Sequence, residues 1–150
     1  MMSQLNGFFS LRTPEDLLGK LEADFERLCG ANPTSVDAQY AAFDFFVTAE
    51  HLPEWVFHTS GDSLKQHRTY PDSALVAHVA NGAKHFRVDP KRHTTVRETR
   101  PQQGSFDPKV FDPSAFDVPR LVLDLENGTS IAVIEVAKRV VGHWRSVLRP

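Results

Sequence analysis

The sequence predicts a single α+β domain of 150 residues: three helices in the N-terminal half, a small antiparallel sheet with a β-hairpin, and a C-terminal amphipathic helix. Three observations carry this. Thr13-Pro14-Glu15-Asp16 is a helix-start signal followed by an apolar stripe of helical period. Asn127-Gly128 stands between two short apolar runs, as in a hairpin. Val136, Val140, Trp144 and Val147 recur at the spacing that puts them on one helix face.

In the first helix Thr13 can cap, Pro14 suits the first helical position, and Glu15 and Asp16 complement the positive dipole end. Leu17, Leu18, Leu21, Phe25 and Leu28 form the stripe, Gly30 is placed to end it, and Lys20, Glu22, Glu26 and Arg27 face water. Cys29, at the end of that stripe, is expected as a buried, inert thiol. As the sole cysteine it excludes an internal disulfide and a multi-cysteine zinc site.

A second helix is expected from Asn32-Pro33 or Ser35 through residues 41–48 toward Trp55. It is apolar around most of its circumference (Tyr40, Phe43, Phe45, Phe46, Val47, Ala49, Leu52), which predicts a central position. Asp44, Thr48 and His51 make a narrow polar strip. Glu50 falls on the Phe43/Phe46/Val47 face and needs a cation, a donor or a water-filled pocket. Pro53 should kink or end the helix, leaving Trp55 and Phe57 to pack at its exit.

After a polar connection from Gly61 to Pro71, Asp72 or Ser73 can cap a third helix. Its wheel places Leu75, Val76, Val79, Ala80, Ala83 and Phe86 on an apolar face and His78, Asn81, Lys84 and His85 on a polar one. Residues 84–100 are the most basic segment: Lys84, Arg87, Lys91, Arg92, Arg97 and Arg100 against Asp89 and Glu98, with strand propensity at Thr94, Thr95, Val96 and Thr99. Residues 101–119 carry a repeat of period five, Phe106-Asp107-Pro108, Phe111-Asp112-Pro113 and Phe116-Asp117. Prolines at that density exclude a helix or a central strand and leave an ordered loop or a strap that docks on a partner. Runs 121–125 and 130–134 then flank the hairpin turn, and a helix from about Glu135 to Leu148 turns Lys138, Arg145 and Arg149 outward.

With a formal net charge of −2, the whole molecule is no electrostatic nucleic-acid binder, and such a role needs a local patch. No run approaches the ~18 apolar residues of a membrane span, nor is there a signal-peptide pattern, so the expectation is a cytoplasmic protein without membrane contact. His78 and His85, seven residues apart, lie roughly 10 Å apart along a helix, poor spacing for two ligands of one ion. A metal-dependent hydrolase would have to gather His51, His78, His85 and Glu50 from two helices. Neither a Gly-x-Ser-x-Gly elbow nor a Gly-rich phosphate loop occurs, and no cofactor or metal is expected. Acid–base cleavage of RNA is the remaining enzymatic option. His85 would be base or acid, Asn81 and Lys84 would stabilise charge, and Glu50 would orient a histidine.

The segments Phe45-Phe46-Val-Thr-Ala-Glu-His51-Leu-Pro-Glu-Trp55 and Ala80-Asn81-Gly-Ala-Lys84-His85-Phe86 resemble a group of small bacterial and phage proteins with no assigned activity. More distantly, the Asn81…His85 helix resembles the motif of HEPN domains, helical modules whose active members are metal-independent ribonucleases and dimerise to join two motifs. That resemblance implies a homodimer with Asn81 and His85 as motif residues. Ala80 stands where the motif has its arginine, and Arg87 and His93 meet the spacing only across Asp89-Pro90. The reading of the whole chain is a non-catalytic binding or regulatory protein with a protein or RNA partner. Arg87, Lys91, Arg92, Arg97, His78 and His51 are its candidate contact residues, and HEPN-like ribonuclease and metal-dependent hydrolase are the alternatives.

Overall fold

The computed structural model describes residues 7–86, 93–102 and 119–150. Arg87, Lys91, Arg92 and the Phe-Asp-Pro repeat lie outside them. Along the chain run α1 (Pro14–Gly30), α2 (Val36–Ser60), α3 (Leu64–His67), α4 (Ser73–His85), β1 (Val96–Gln102), β2 (Arg120–Leu125), β3 (Ser130–Ala132) and α5 (Val133–Leu148). This is the expected α+β architecture, with one added turn of helix, α3, in the Gly61–Pro71 connection.

α1 begins as its sequence requires. The Thr13 hydroxyl accepts the Asp16 N–H, and the Asp16 carboxylate accepts the Thr13 N–H, a reciprocal capping box. Leu17, Leu18, Leu21 and Leu28 are buried, but Cys29 is exposed. Cys29 follows the buried Leu28 by one residue, about 100° further around the helix, and so turns off the stripe. Lys20 and Arg27, expected in open water, reach the buried carboxylate of Asp24, which also accepts the Thr48 hydroxyl at 3.1 Å and so ties α1 to α2.

α2 is central, packed against α1, α3, α4 and α5. Ser35 caps it by accepting the Ala38 N–H at 3.2 Å. Pro53 does not end it. The helix runs seven residues further and stops where Gly61 adopts φ 74, its N–H bonded to the Phe57 carbonyl. Burial of Leu52, Pro53 and Val56 offsets the one backbone bond that proline forfeits. The expected enclosure of α2 fails on one flank, where Tyr40 is 62% and Phe43 50% exposed.

The sheet has order β1-β2-β3, both pairs antiparallel. A bulge between Val96 and Glu98 leaves Arg97 outside the ladder. Pro101 is tolerated because β1 is an edge strand among the described residues. The hairpin turn uses three residues: the Gly128 N–H bonds to the Leu125 carbonyl, the Leu125 N–H bonds to the Thr129 carbonyl, and Gly128 sits at φ 87. β3 ends at Ala132, and α5 starts at Val133 instead of near Glu135. Val133 and Ile134 have strand propensity, yet pairing with β2 stops at Ala132 and the buried Val133 opens the helix.

Val136, Val140 and Trp144 of α5 complete the core with Phe45 and Phe46, whose rings meet edge-on at 5.6 Å. The outward arginines of α5 are not simply solvated. Arg145 and Arg149 both bind Glu22 of α1, and Arg139 clasps Asp72 through two bonds of 2.9 and 3.0 Å. Asp72 therefore makes no side-chain cap on α4.

Candidate functional site: a groove walled by α2, α4 and β1

α4 places its polar residues in two environments. His78, expected beside Asn81, Lys84 and His85 on an open face, is only 9% exposed. Its Nδ1 accepts two backbone N–H groups from the start of β1, Thr95 at 3.2 Å and Val96 at 3.1 Å. That geometry requires the neutral tautomer with the proton on Nε2. Burial, reinforced by repulsion from nearby His93 and opposed by Glu126, holds the imidazole below its ordinary pKa. Lys84 and His85 are exposed, Asn81 is half-buried, and among the described residues none of the three has a bonded partner. Phe86, expected on the apolar face, is 91% exposed with φ 64, because the helix has already ended at His85.

Glu50 finds its cation elsewhere. Arg68, just beyond α3, bonds Glu50 through Nη1 and Glu54 through Nη2. Neither His51, which is exposed, nor His85 is bonded to it. His51, His78, His85 and Glu50 thus do not converge, and no set of three or more metal-ligating side chains is arranged for an ion among the described residues. The chemistry open to Asn81, Lys84 and His85 is that of a surface: hydrogen bonding and cation contact without an orienting carboxylate.

The concave feature is a groove of about 590 Å³ between α2, α4 and the sheet. Tyr40, Phe43 and Phe46 form one wall and Val79 and Ala83 another, over a floor of Leu121, Leu123 and Val133. Residues 96–101 of β1 all line it in succession, so the groove follows the edge of the strand. His78 holds the corner where α4 meets β1.

Charge at the groove is mostly internally balanced. Arg100 binds Asp124 with bonds of 2.7 and 3.2 Å, and Ser130 donates to the same carboxylate. The Arg100 and Ser130 hydrogen bonds hold the Asp124 carboxyl below the usual range. Arg97, freed from the ladder by the bulge, is exposed and has no ion-pair partner among the described residues. Of the contact residues foreseen that are described, Arg97 and His78 line this groove and His51 does not.

Sequence reasoning missed the groove. Tyr40 and Phe43 read as two more apolar residues of a central helix; that their flank stays bare is decided by where α4 and β1 lie. A second cluster was equally hidden. Tyr70 stacks on His143 at 4.6 Å and 15°, with Trp144 edge-on at 5.4 Å. Burial pushes the Tyr70 phenol up; burial and then His67 push His143 down. No family model, curated protein or solved structure matches the chain. No helix among the described residues is long and apolar enough to cross a membrane.

Proposed function

We propose that this protein is a non-catalytic binding module that takes an apolar segment of a partner protein into the α2/α4/β1 groove. The observation that carries this is the rim: Tyr40 and Phe43, half or more exposed, stand beside a cavity of about 590 Å³ with an apolar floor. Exposed aromatics at a concave apolar site are the usual anchors of protein recognition.

An RNA partner has less support. A phosphate backbone is held by several uncommitted cations. Here Arg27, Arg68, Arg100, Arg139, Arg145 and Arg149 are all bound to carboxylates of the chain itself. At the groove, Arg97, which has no ion-pair partner among the described residues, is a contact for a carboxylate near the partner's apolar anchor.

Panning a random peptide display library against the purified protein tests this. The expected outcome is enrichment of peptides with a bulky apolar anchor, their affinity falling about tenfold or more for Phe43→Ser or Arg97→Glu. Peptides that bind both variants as well as wild type, or no enrichment at all, would overturn the proposal.

A further inference from the structure

His78 lines the groove and also fastens one of its walls. We infer that it is a proton-sensitive latch: protonating His78 releases the start of β1 from α4 and weakens the groove's hold on its occupant. The inference rests on the groove reading for its consequence, and on two hydrogen bonds for its mechanism.

An imidazole Nδ1 accepts through one lone pair, and here both Thr95 and Val96 direct their N–H groups at it. A proton on Nδ1 turns the acceptor into a donor facing two donors. Val96 is buried, so its N–H has no water to turn to. The Thr95 carbonyl accepts the Glu126 N–H at 3.0 Å, which ties this stretch to the β2–β3 turn. The strain is relieved by swinging β1's first residues away from α4, or by turning the ring out.

The surroundings set the direction of the switch. His93 lies with its ring centroid 5.6 Å from that of His78 and disfavours a second positive charge. Glu126, on the turn between β2 and β3, favours it but is outweighed by burial. Along the same groove β1 adds the Arg97 cation, the Glu98 carboxylate and Arg100, the last paired with Asp124, and α2 contributes Gln39 and the phenol of Tyr40. On α4 the adjoining turns carry Ala74, Leu75, Asn81 and Gly82, none of them charged. The latch is therefore shut at neutral pH and opens on acidification. An occupant bridging α4 and β1 favours the neutral ring and must make it harder to protonate.

NMR on the full chain tests the latch without any partner. The His78 ring resonances and the exchange protection of the Thr95 and Val96 amides are followed from about pH 7.5 to about 5. The expected result is a loss of protection of about tenfold or more at both amides, with the midpoint of the ring titration. In His78→Asn, an amide oxygen stands near the former Nδ1 and does not titrate, so protection should stay level. Amides that remain protected while the ring titrates would overturn the inference, as would an identical loss in the Asn variant. If that variant fails to fold, the wild-type comparison of ring and amides decides alone.

The consequence for binding is read with anilinonaphthalene sulfonate, an apolar anionic dye, correcting with Phe43→Ser for dye bound elsewhere. Groove-dependent fluorescence falling at the His78 midpoint supports the coupling; fluorescence indifferent to that titration overturns it. Peptide panning at neutral pH is independent of the latch. Its failure with an intact latch would sink the binding proposal alone, and its success with an inert His78 would sink the latch alone.

Discussion

His78 and His85 sit one heptad apart on α4, about 20° from each other around the helix axis, and their fates are opposite. His78 is buried and holds the backbone of β1 with its ring nitrogen; His85 ends the helix exposed, with no bonded partner among the described residues. A helical wheel reports angle and is blind to position along the axis. Over seven residues the helix rises about 10 Å, enough to carry one side chain under the sheet and the other past its reach. The polar face drawn from the sequence is thus two objects, a structural acceptor and an exposed end whose Lys84 suits the helix dipole.

Substitution should separate the two histidines sharply. His78→Leu fills similar space but leaves the Thr95 and Val96 N–H groups without an acceptor, and should cost about 3 kcal/mol in urea unfolding. A loss below about 1 kcal/mol would mean that water reaches those amides and that the contrast is smaller than the geometry says.

Acid should act first on His78 and only later on Asp124 of the sheet. The folded His78 pKa lies below its ordinary 6.5, so its contribution is complete above that pH and is lost as pH falls from there toward the folded value. Asp124 is also lowered, from an ordinary 3.8, so what it contributes persists to stronger acid and fades only below that value. Stability measured against pH should show a first decline at mild acidity that is smaller in His78→Asn, where the lowered His143 still contributes, then a second shared by both proteins. A mild-acid decline of equal size in the variant would assign it to another group.

Smaller effects sharpen the exposed end. Glu50→Ala removes the partner of a half-buried arginine and should cost about 1 kcal/mol, with Arg68 still able to reach Glu54. His85→Ala should change stability by less than about 0.5 kcal/mol. Tested for metal-free RNA cleavage, wild type and His85→Ala should be equally inactive; activity that vanishes in the variant would restore the ribonuclease reading and turn the bare helix end into a site.

Elements with local causes were legible in the sequence, and pairings between elements were not. The Thr13 cap of α1 and the Gly128 turn depend on residues within a few positions and appear where the sequence placed them, and of the two starts open for α2 the structure takes Ser35. Glu50's need for a partner followed from burial alone. That the partner is Arg68 depends on the one-turn helix α3, which no periodicity announced. Pro53 misled because its local cost is certain while its compensation, burial against the core, is tertiary.

By itself the sequence determined the α+β class, the order of its main helices and strands, and the chemistry carried on α4, because period, caps and turns act through neighbouring residues. Only the tertiary structure decided which of those groups face water. Laying β1 across one end of α4 buried His78, bared Tyr40 and Phe43 at a groove, and left His85 outside. Burial is fixed by contacts between segments distant in the chain, so a candidate site read from spacing becomes an acceptor or a surface only once those segments have met.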